Sequence, residues 1–511
     1  MVRATTASWA LVAIVVLSAC GGDESAPSGS GGGGANSCPT GQVDAPGGGC
    51  MPVGIQGCAD IFIEDDGLCH PSLDKCPPGT IPNFSEGCTA VGIPNCAPEF
   101  VEDDGLCHPS RDKCPPGSFA VPTEGCVSID GDGCGSGSWG LIADAPDTVW
   151  VDPSYAGGMS DGSQEAPFTT VAAALAAVAP GGRIALAAGD YAEPVTIDRP
   201  LELVGRCPSL VTLSGTQPTP YTNDPVIVLA DGAAGALVRG VRLSGAGIGL
   251  LAIGGDVELS GVHIDAVTAI GVVVANGTLH VTRSLLEATL SQPASGAFGR
   301  GIDVEAGASL SLDKSALAEN RGMALVAGHT GTTVTVSESL VERTLPLEID
   351  ASYGVGLLGT TAATLRVSGS AVRQSQTAGV LVVYGATAEL AGSLIDEVLP
   401  GRFHTYQGPP NMEVIVETYD GVGEGLVVAF GSNASVMDTV VVRASRAGVL
   451  FESSTGLLRT VRSTENRFGL VLQGAPQPDW QHESNLFEGS EQSIVNDGNL
   501  PVPEAPPVPE G

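Results

Sequence analysis

A short apolar phrase headed by glycine returns at regular intervals along the second half of the chain. Its nine glycines are Gly249, Gly271, Gly301, Gly322, Gly356, Gly379, Gly425, Gly448 and Gly469. The steps between them are 22, 30, 21, 34, 23, 46, 23 and 21 residues, so five of the eight are nearly equal and three are longer. A constant period of about 22 residues is typical of a solenoid.

Within one period, apolar and polar positions follow each other as they do in strands. The valines at 272–274 precede a turn at 275–277 and alternating residues at 278–282. Short β-branched runs between glycine, asparagine and serine turns indicate strands, and no helical period of adequate length intervenes. Stacked coils of such strands pair with their neighbours and bury one common core. The pattern predicts an all-β fold, a parallel β-helix solenoid.

The three long steps place their extra residues at one point of the coil. Each insertion follows a Ser-Leu-apolar phrase, at 284–286, 339–341 and 393–395, and adds about 8, 12 or 24 residues to a 22-residue unit. Insertions at one register emerge on one flank of a solenoid. Because tyrosine rings stack on sugar faces and carboxylates accept hydrogen bonds from hydroxyls, we expect the insertions to bind a carbohydrate. The simpler alternative is that the insertions pack on the coil's own apolar edge. The predicted ligand-binding residues are Tyr353, Arg402, His404, Tyr406, Tyr419 and Asp420.

A distinctive segment precedes the repeats. It reads Val-Trp-Val-Asp-Pro at 149–153 and Ala-Pro-Phe-Thr-Thr-Val at 166–171, then an alanine-rich run that Pro180 and Gly181 end. Thr169 or Thr170 caps a predicted helix there, and such a helix closes the open end of a β-helix. The segment resembles the N-terminal part of bacterial right-handed β-helix proteins of the pectin-lyase-like superfamily. The resemblance implies a right-handed parallel β-helix over 135–498 with an N-terminal capping helix.

That resemblance implies no single activity, because the fold hosts lyases, hydrolases, isomerases, adhesins and inert stalks. A glycoside hydrolase needs two carboxyl groups at a defined separation. No Asp-Asp pair occurs after residue 104, and Asp303 and Glu305 are two acids on the same side of one predicted strand. We therefore expect a non-enzymatic protein that binds glycans or a partner surface, with no catalytic residue assigned. The alternatives are a polysaccharide lyase or glycoside hydrolase acting in the groove lined by the insertions, and a structural spacer.

Cysteines repeat every 38 residues between 38 and 134, in a small module that precedes the solenoid. The repeats and the single later cysteine comprise Cys38, Cys50, Cys58, Cys69, Cys76, Cys88, Cys96, Cys107, Cys114, Cys126, Cys134 and Cys207. An exported segment with this pattern is a disulfide framework, whose pairing the sequence leaves open. The third unit lacks its fourth cysteine, so we expect Cys207 to complete it and to join the module to the solenoid.

Two metals, Zn²⁺ and Ca²⁺, are the alternatives to a disulfide framework without metal in this module. Zinc would use the cysteines with His70 and His108, but their spacing lacks the paired ligands of zinc sites. The Glu-Asp-Asp-Gly turns offer hard oxygen ligands to Ca²⁺, although no distal bidentate glutamate is placed. We expect acidic surface turns, no metal and no other cofactor, with Ca²⁺ as the alternative.

The first residues form an export signal. Arg3 precedes an apolar run over 9–17, and the order Leu-Ser-Ala-Cys at 17–20 resembles a bacterial lipobox. The signal peptide is then 1–19, Cys20 carries the lipid, and 20–37 is a Gly/Ser-rich tether. Gly21 after the cysteine favours the outer membrane by resemblance to enterobacterial sorting. The Pro-rich segment 499–511 is predicted to be a disordered tail.

Charge restricts the partners. Lys and Arg number 22 against 57 Asp and Glu, a formal charge of −35. Such a surface repels phosphate backbones, so nucleic acid is excluded as a partner. The expected partners are the membrane, through the lipid on Cys20, and a polysaccharide or an envelope protein.

Overall fold

The computed structural model describes residues 38, 42–44, 50–52, 57–215, 224–245, 247–407 and 414–505. These residues form a parallel β-helix, capped by a short helix at its first coil and carrying a disulfide-rich module along one flank. The predicted fold class is therefore confirmed. The predicted signal peptide, Cys20 and the tether lie outside the described residues.

The chain contains one α-helix, α1 (Val171–Ala177), among the described residues. The first strands are β1 (Gln42–Asp44), β2 (Cys50–Pro52), β3 (Thr80–Asn83), β4 (Gly87–Ala90), β5 (Ser118–Val121), β6 (Gly125–Ser128), β7 (Thr148–Val151), β8 (Arg183–Leu186), β9 (Gly189–Tyr191), β10 (Val195–Ile197), β11 (Glu202–Gly205), β12 (Val211–Ser214), β13 (Pro225–Leu229), β14 (Leu237–Arg239), β15 (Arg242–Ser244), β16 (Ile248–Ala252), β17 (Asp256–Ser260), β18 (His263–Asp265), β19 (Ile270–Ala275), β20 (Thr278–Thr282) and β21 (Leu285–Glu287). The following strands are β22 (Arg300–Glu305), β23 (Ser309–Asp313), β24 (Ala316–Ala318), β25 (Met323–Ala327), β26 (Thr333–Ser337), β27 (Leu340–Glu342), β28 (Val355–Gly359), β29 (Thr364–Ser368), β30 (Ala371–Arg373), β31 (Thr377–Val382), β32 (Thr387–Ala391), β33 (Leu394–Asp396), β34 (Gly401–Gln407), β35 (Val414–Val428), β36 (Asn433–Met437), β37 (Val440–Val442), β38 (Ala447–Glu452), β39 (Thr455–Arg459), β40 (Arg462–Gln473) and β41 (Leu486–Asn496).

Each coil contributes one strand to each of three parallel stacks. The first stack runs from β7 and β8 through every third strand to β36 and β39. The second contains β9, β12, β15, β18, β21, β24, β27, β30, β33 and β37. The third contains β10, β13, β16, β19, β22, β25, β28, β31, β35 and β38, and β40 and β41 each pass through the second and third stacks. Inward side chains of all three stacks form one continuous apolar core.

The repeated glycine stands where two coils approach closely. A Cβ atom on Gly271 would lie 2.5 Å from the carbonyl oxygen of Gly301, and a Cβ on Gly301 would lie 2.4 Å from that of Ala324. At Gly271 and Gly301, a side chain would therefore require the neighbouring backbone to move. The strand register shows that Ala324, and not Gly322 as the spacing suggested, occupies this position in its coil. Gly322 instead has φ +66° at the preceding turn.

The capping helix forms as the sequence predicts. The Thr170 side chain accepts a hydrogen bond from Ala173 N, and the Glu193 carboxylate accepts bonds from Val171 N and Ala172 N. The side chains of Val171 and Ala174 are buried in the core. These contacts satisfy the first amides of the helix and close the first coil.

The cysteine module is a row of three units, which we call unit 1 (38–75), unit 2 (76–113) and unit 3 (114–134). Within each unit the cysteines pair in order along the chain, as Cys38–Cys50, Cys58–Cys69, Cys76–Cys88, Cys96–Cys107 and Cys114–Cys126. The sixth disulfide joins Cys134 to Cys207. The predicted completion of unit 3 by Cys207, which attaches the module to the β-helix, is therefore confirmed.

The module lies on the outer face of the second stack, which the sequence analysis did not anticipate. Phe100, Leu106 and Phe119 pack there against Leu340 and Leu394 of the β-helix in one buried apolar cluster. Burial of this kind stabilises by about 25 cal/mol for each Å² of apolar surface removed from water. The module is therefore docked along the β-helix.

The predicted disordered tail needs a correction at its start. Leu500 and Val502 pack on the third stack, and the Ala505 side chain is 8% exposed. Gln473 holds the backbone of Leu500 through two hydrogen bonds of 3.0 Å. Residues 500–505 are thus ordered against an apolar face, because an extended proline-rich strand needs no internal hydrogen bonds to cover it. Residues 506–511 lie outside the described residues.

Candidate functional site

The three insertions lie side by side on one flank, as predicted. Ile349 N donates to Gly296 O at 3.2 Å, which joins the first insertion to the second. Tyr353 N donates to Arg402 O at 2.7 Å, which joins the second to the third. The third insertion is an antiparallel hairpin of β34 and the first part of β35. The insertions form one continuous cover over the third stack.

Beneath this cover, the outward residues of the third stack are almost all apolar. In successive coils they are Val273, Asp303, Val326, Leu358, Leu381, Val427, Leu450 and Val471. Tyr353 is 1% exposed and Phe403 is fully buried in the apolar cluster on this face. Tyr353 was predicted to bind a ligand, but its ring covers the coil instead. The signal was present in the sequence, since consecutive apolar residues in a strand indicate that both faces are buried.

The polar residues of the hairpin mostly bind each other. Arg402 Nε donates to Asp420 at 2.6 Å, and both side chains are exposed. His404 is 5% exposed and lies between Thr418 Oγ1 at 2.8 Å and Asp350 Oδ2 at 3.0 Å. His404 therefore tethers the hairpin to the second insertion. Of the predicted ligand residues, Arg402, Tyr419 and Asp420 stay accessible.

Tyr419 lines an open groove beside the hairpin. One face of its ring stacks on Phe403, with the ring centroids 5.0 Å apart. Its hydroxyl donates to Glu417, and this hydrogen bond raises the pKa of Tyr419. The groove has a volume of about 570 Å³ and is lined by Thr405, Val416, Glu417, Tyr419, Phe430, Glu452, Gln473, Pro501, Val502 and Glu504. Of these residues, the sequence predicted only Tyr419 as a ligand residue. Phe430, Glu452, Gln473, Pro501, Val502 and Glu504 could not be found because they lie outside the insertions, in other parts of the coils and in the presumed tail. Tyr406 lies in β34, and its side chain is outside the described residues.

The acidic pair predicted on one strand, Asp303 and Glu305, lies on the outward side of β22. Arg300 Nη1 donates to Asp303 Oδ2 at 2.7 Å, and Phe298 lies under the guanidinium at 5.6 Å from the ring centroid. Burial, and then the charge of Asp303, raise the pKa of Glu305. The structure thus places an ion-paired carboxylate beside one with a raised pKa.

A second cavity, of about 710 Å³, opens where unit 3 meets the first coils. Its wall includes the turn 128–133, and Arg206, Arg239 and Arg283. Asp130, Cys134 and Cys207 converge beside it, but the two sulfur atoms form a disulfide and are not thiolate ligands.

The acidic turns considered for Ca²⁺ are hydrogen-bonded within the protein. In unit 1 the Asp66 carboxylate accepts from Leu68 N and from His70, each at 2.9 Å, and Glu64 pairs with Lys75 at 2.7 Å. Two of the three carboxylates therefore have partners in the turn itself. Among the described residues, none of the helices has the length and apolar character needed to cross a membrane.

Comparison with known proteins does not assign this chain to a family. No protein-family model matches the sequence, and no curated protein matches it significantly. The chain is 13% identical to pectate lyase Pel9A, covering 68% of this chain and 78% of that one with a TM-score of 0.31. It is also 13% identical to the catalytic domain of a GH87 alpha-1,3-glucanase in complex with nigerose, covering 71% of each chain with a TM-score of 0.38.

A third similar structure is the A-module of the mannuronan C-5 epimerase AlgE4 of Azotobacter vinelandii. It is 13% identical and the match covers 67% of this chain and 97% of that one, with a TM-score of 0.39. Function does not follow from likeness at this level, because unrelated activities share folds. The fold is defined by the strand pairing of this chain, and its function has to be argued from its own residues.

Proposed function

We propose that this chain is a lipid-anchored protein of the cell envelope whose β-helix binds glycans without catalysing a reaction. The observation that carries the proposal is the groove beside Tyr419. An aromatic ring there is surrounded by the carboxylates of Glu417, Glu452 and Glu504 and by the Gln473 amide. An apolar ring beside several hydrogen-bond acceptors suits a sugar, whose one face is apolar and whose hydroxyls donate.

The anchoring part of the proposal is supported by the sequence Leu-Ser-Ala-Cys at 17–20 and by the Gly/Ser-rich segment that follows. Several acyl chains on one cysteine hold a protein stably at a bilayer. Mass spectrometry of the N-terminal peptide tests this part. We expect Cys20 to be the first residue and to carry lipid, and a Cys20→Ser variant to leave the membrane fraction.

A glycan array followed by calorimetry tests the binding part, with the full chain carrying Cys20→Ser to keep it in solution. We expect one saccharide class to bind, and Tyr419→Ala and Glu452→Gln to weaken its binding by about tenfold each, equivalent to about 1.4 kcal/mol. Tyr155→Ala is the matched control, since Tyr155 lies in the segment before α1. Binding that Tyr419→Ala leaves unchanged would contradict the proposed site.

A second function, polysaccharide hydrolysis, is favoured by one observation, the raised pKa of Glu305 beside Asp303. A general acid needs such a shift to keep its proton near neutral pH. Incubation with polyuronides and neutral glucans, followed by reducing-end assay, tests it. Turnover that Glu305→Gln abolishes and Glu389→Gln retains would establish an enzyme and replace the non-catalytic proposal. Glu389 is a suitable control because it lies exposed on β32, on the first stack.

A further inference from the structure

Units 1 and 2 carry the same nine residues, Glu-Asp-Asp-Gly-Leu-Cys-His-Pro-Ser, at 64–72 and 102–110. We call this sequence the docking motif, because in unit 2 it makes the contacts with the β-helix. His108 Nδ1 lies 3.1 Å from Asp396 Oδ2, and Ser110 Oγ donates to Glu342 at 2.5 Å. The carbonyl of Pro109 accepts from Arg373 at 3.1 Å. The end of the motif is therefore a recognition element for this flank.

In unit 1 the same motif faces solvent. The His70 side chain is 43% exposed. Among the described residues, its hydrogen-bond partner is Asp66 of the same turn, at 2.9 Å. Leu68 and Ser72 are partly exposed, whereas their counterparts Leu106 and Ser110 are 2% and 5% exposed. Within the residues that the structure describes, unit 1 thus presents its docking motif with no β-helix surface packed against it.

The spacing of the two motifs explains this exposure. Ser85 and Thr123 are equivalent residues 38 positions apart, and they bond to Glu483 and to Glu338. The strand register aligns Glu338 with residue 484, five coils later, and residue 484 is next to Glu483. One module unit therefore spans five coils, or roughly 24 Å at the usual strand spacing.

Unit 1 consequently extends beyond the end of the β-helix. Asp396, which receives the motif, belongs to a column of residues at the same register in successive coils of the second stack. After Asp396 this column continues for three more coils, through Val442 and Thr464 to the coil of Phe487. The position for His70 would be five coils past Asp396. The described β-helix ends two coils short of it, so the described part of the chain offers the motif of unit 1 no equivalent surface to dock on.

At the other end of the same column lies a docking position without a motif. Five coils before Asp396, through Arg373, Glu342, Ala318 and Glu287, the column reaches Asp265. Asp265 carries a guanidinium partner, Arg242 at 2.6 Å, as Asp396 carries Arg373. Unit 3 would place its motif here, but its equivalent residues, 140–148, read Gly-Leu-Ile-Ala-Asp-Ala-Pro-Asp-Thr and contain no histidine. The Cys134–Cys207 disulfide leads the chain into the first coils instead.

We propose that the docking motif of unit 1 binds the Asp265–Arg242 position on a second copy of this chain. The two surfaces lie at opposite ends of one molecule, so they meet only between molecules. Their chemistry matches a contact that the chain already makes in unit 2, with His70 taking the place of His108 and Asp265 that of Asp396.

The resulting interface is heterologous, joining one end of a copy to the other end of the next. Such a contact builds chains or closed rings instead of a symmetric dimer. The two β-helix axes cross or lie side by side, because the three coils after Asp396 occupy the axial space next to unit 1. For a lipid-anchored protein, this contact would assemble an array on the membrane.

Sedimentation velocity of the full chain carrying Cys20→Ser tests the proposal over a hundredfold range of concentration. We expect association that rises with concentration, weakened about tenfold or more by His70→Ala and by Asp265→Asn. His280→Ala is the matched control, since His280 is a similarly exposed histidine paired with Asp256 on the first stack. Disulfide mapping and thermal unfolding confirm that each variant is folded, and Arg242→Ala replaces Asp265→Asn if the latter does not fold.

Mixing the two variants gives the decisive result. His70→Ala retains the position at Asp265, and Asp265→Asn retains the motif. Each variant alone should therefore associate at least about tenfold more weakly than the unsubstituted chain. Their mixture should form a one-to-one heterodimer that grows no further. A wild-type chain that is monomeric throughout would overturn the proposal. Association that neither substitution weakens would overturn it as well.

Discussion

The docking motif occurs twice with the same sequence, and its two copies have opposite environments. The local turn is the same in both, since Leu68 N and Leu106 N each donate to the aspartate two residues earlier at 2.9 Å. Yet His108 is fully buried, whereas the His70 side chain is 43% exposed. The local sequence therefore determines the turn, and the β-helix surface determines what the turn contributes.

The energetic difference between the copies lies in charge burial. At the docked copy, the Asp396 carboxylate is fully buried and is surrounded by His108, Arg373 and Arg443. Buried ions stabilise only where partners of opposite charge compensate the loss of water, and removal of one partner is costly. At the exposed copy, water already solvates Asp66 and His70, so their ion pair contributes little. Three pairs of substitutions, each pairing a docked residue with a control in unit 1, and one change of pH test this contrast.

Asp396→Ala should have the largest effect. It removes the buried carboxylate that His108, Arg373 and Arg443 share. Removing one partner of a buried charge network destabilises the docked module by roughly 3–5 kcal/mol. Hydrogen exchange over residues 100–110 measures this loss directly. Asp66→Ala, the control in unit 1, should leave exchange over 62–72 unchanged. Equal effects of the two substitutions would show that burial does not distinguish the copies.

His108→Ala should come next. It removes hydrogen bonds to Asp396 and Asp104 and opens a buried gap, for a loss of about 2 kcal/mol in docking stability. The same experiment with His70→Ala, in dilute solution where copies do not associate, should show no loss. A strong effect of His70→Ala under dilution would mean that unit 1 depends on the histidine for its own fold.

Ser110→Ala should have a smaller effect, about 1 kcal/mol, because Glu342 loses one buried donor but keeps Arg111 N at 3.1 Å. Ser72→Ala is its control in unit 1. Hydrogen exchange over residues 100–110 and 62–72, at increasing urea concentration, reports both variants. If Ser110→Ala matches Ser72→Ala, the hydroxyl bond across the interface carries no net stability.

The weakest perturbation is a change of pH. Burial opposes protonation of His108, but its bonds to Asp396 and Asp104 outweigh burial and raise its pKa. A raised histidine pKa adds stability that is complete below the ordinary value of 6.5 and disappears as pH rises through the raised pKa. Burial also opposes ionisation of Asp396, yet His108, Arg373 and Arg443 lower its pKa, so its contribution is present above 3.8 and disappears in stronger acid.

Docking of unit 2 should therefore be strongest in mildly acidic solution and weaken on the alkaline side. Hydrogen exchange over 100–110, corrected for the pH dependence of the chemistry and compared with 62–72, measures it. His108→Gln should remove the alkaline part of the dependence. A profile that this variant leaves unchanged would assign the effect to other groups.

The sequence predicted those features of the fold that depend only on one coil and its immediate neighbours. The glycine period, the strand runs, the capping threonine and the alignment of the insertions each depend on contacts between a coil and its immediate neighbours. Gly322 shows the limit of this approach, because a glycine in a turn has the same appearance in the sequence as one at a close approach. Only the register identified Ala324 as the true equivalent.

Prediction failed where distant segments cover an outer face. The sequence predicts ligand binding at Tyr353 and predicts the cysteine module as a domain separate from the solenoid, whereas the structure buries Tyr353 and docks the module on the β-helix. In both cases the apolar residues on the outer face of the β-helix are covered by other parts of the chain, and this cover decides exposure. Phrases such as Leu285-Leu286 already carried the signal, since neighbouring apolar residues on a strand point to opposite faces.

The sequence alone determined the coil, the cap, the cysteine framework and the completion of unit 3 by Cys207, because repeats and cysteine counts are visible without coordinates. The tertiary structure alone decided that one module unit spans five coils. That ratio compares two repeats of different rise, 38 residues in the module and about 22 in the solenoid. Because of this ratio, His108 is buried, His70 is exposed and Asp265 lies opposite no motif. The ratio cannot be read from the sequence of either repeat alone.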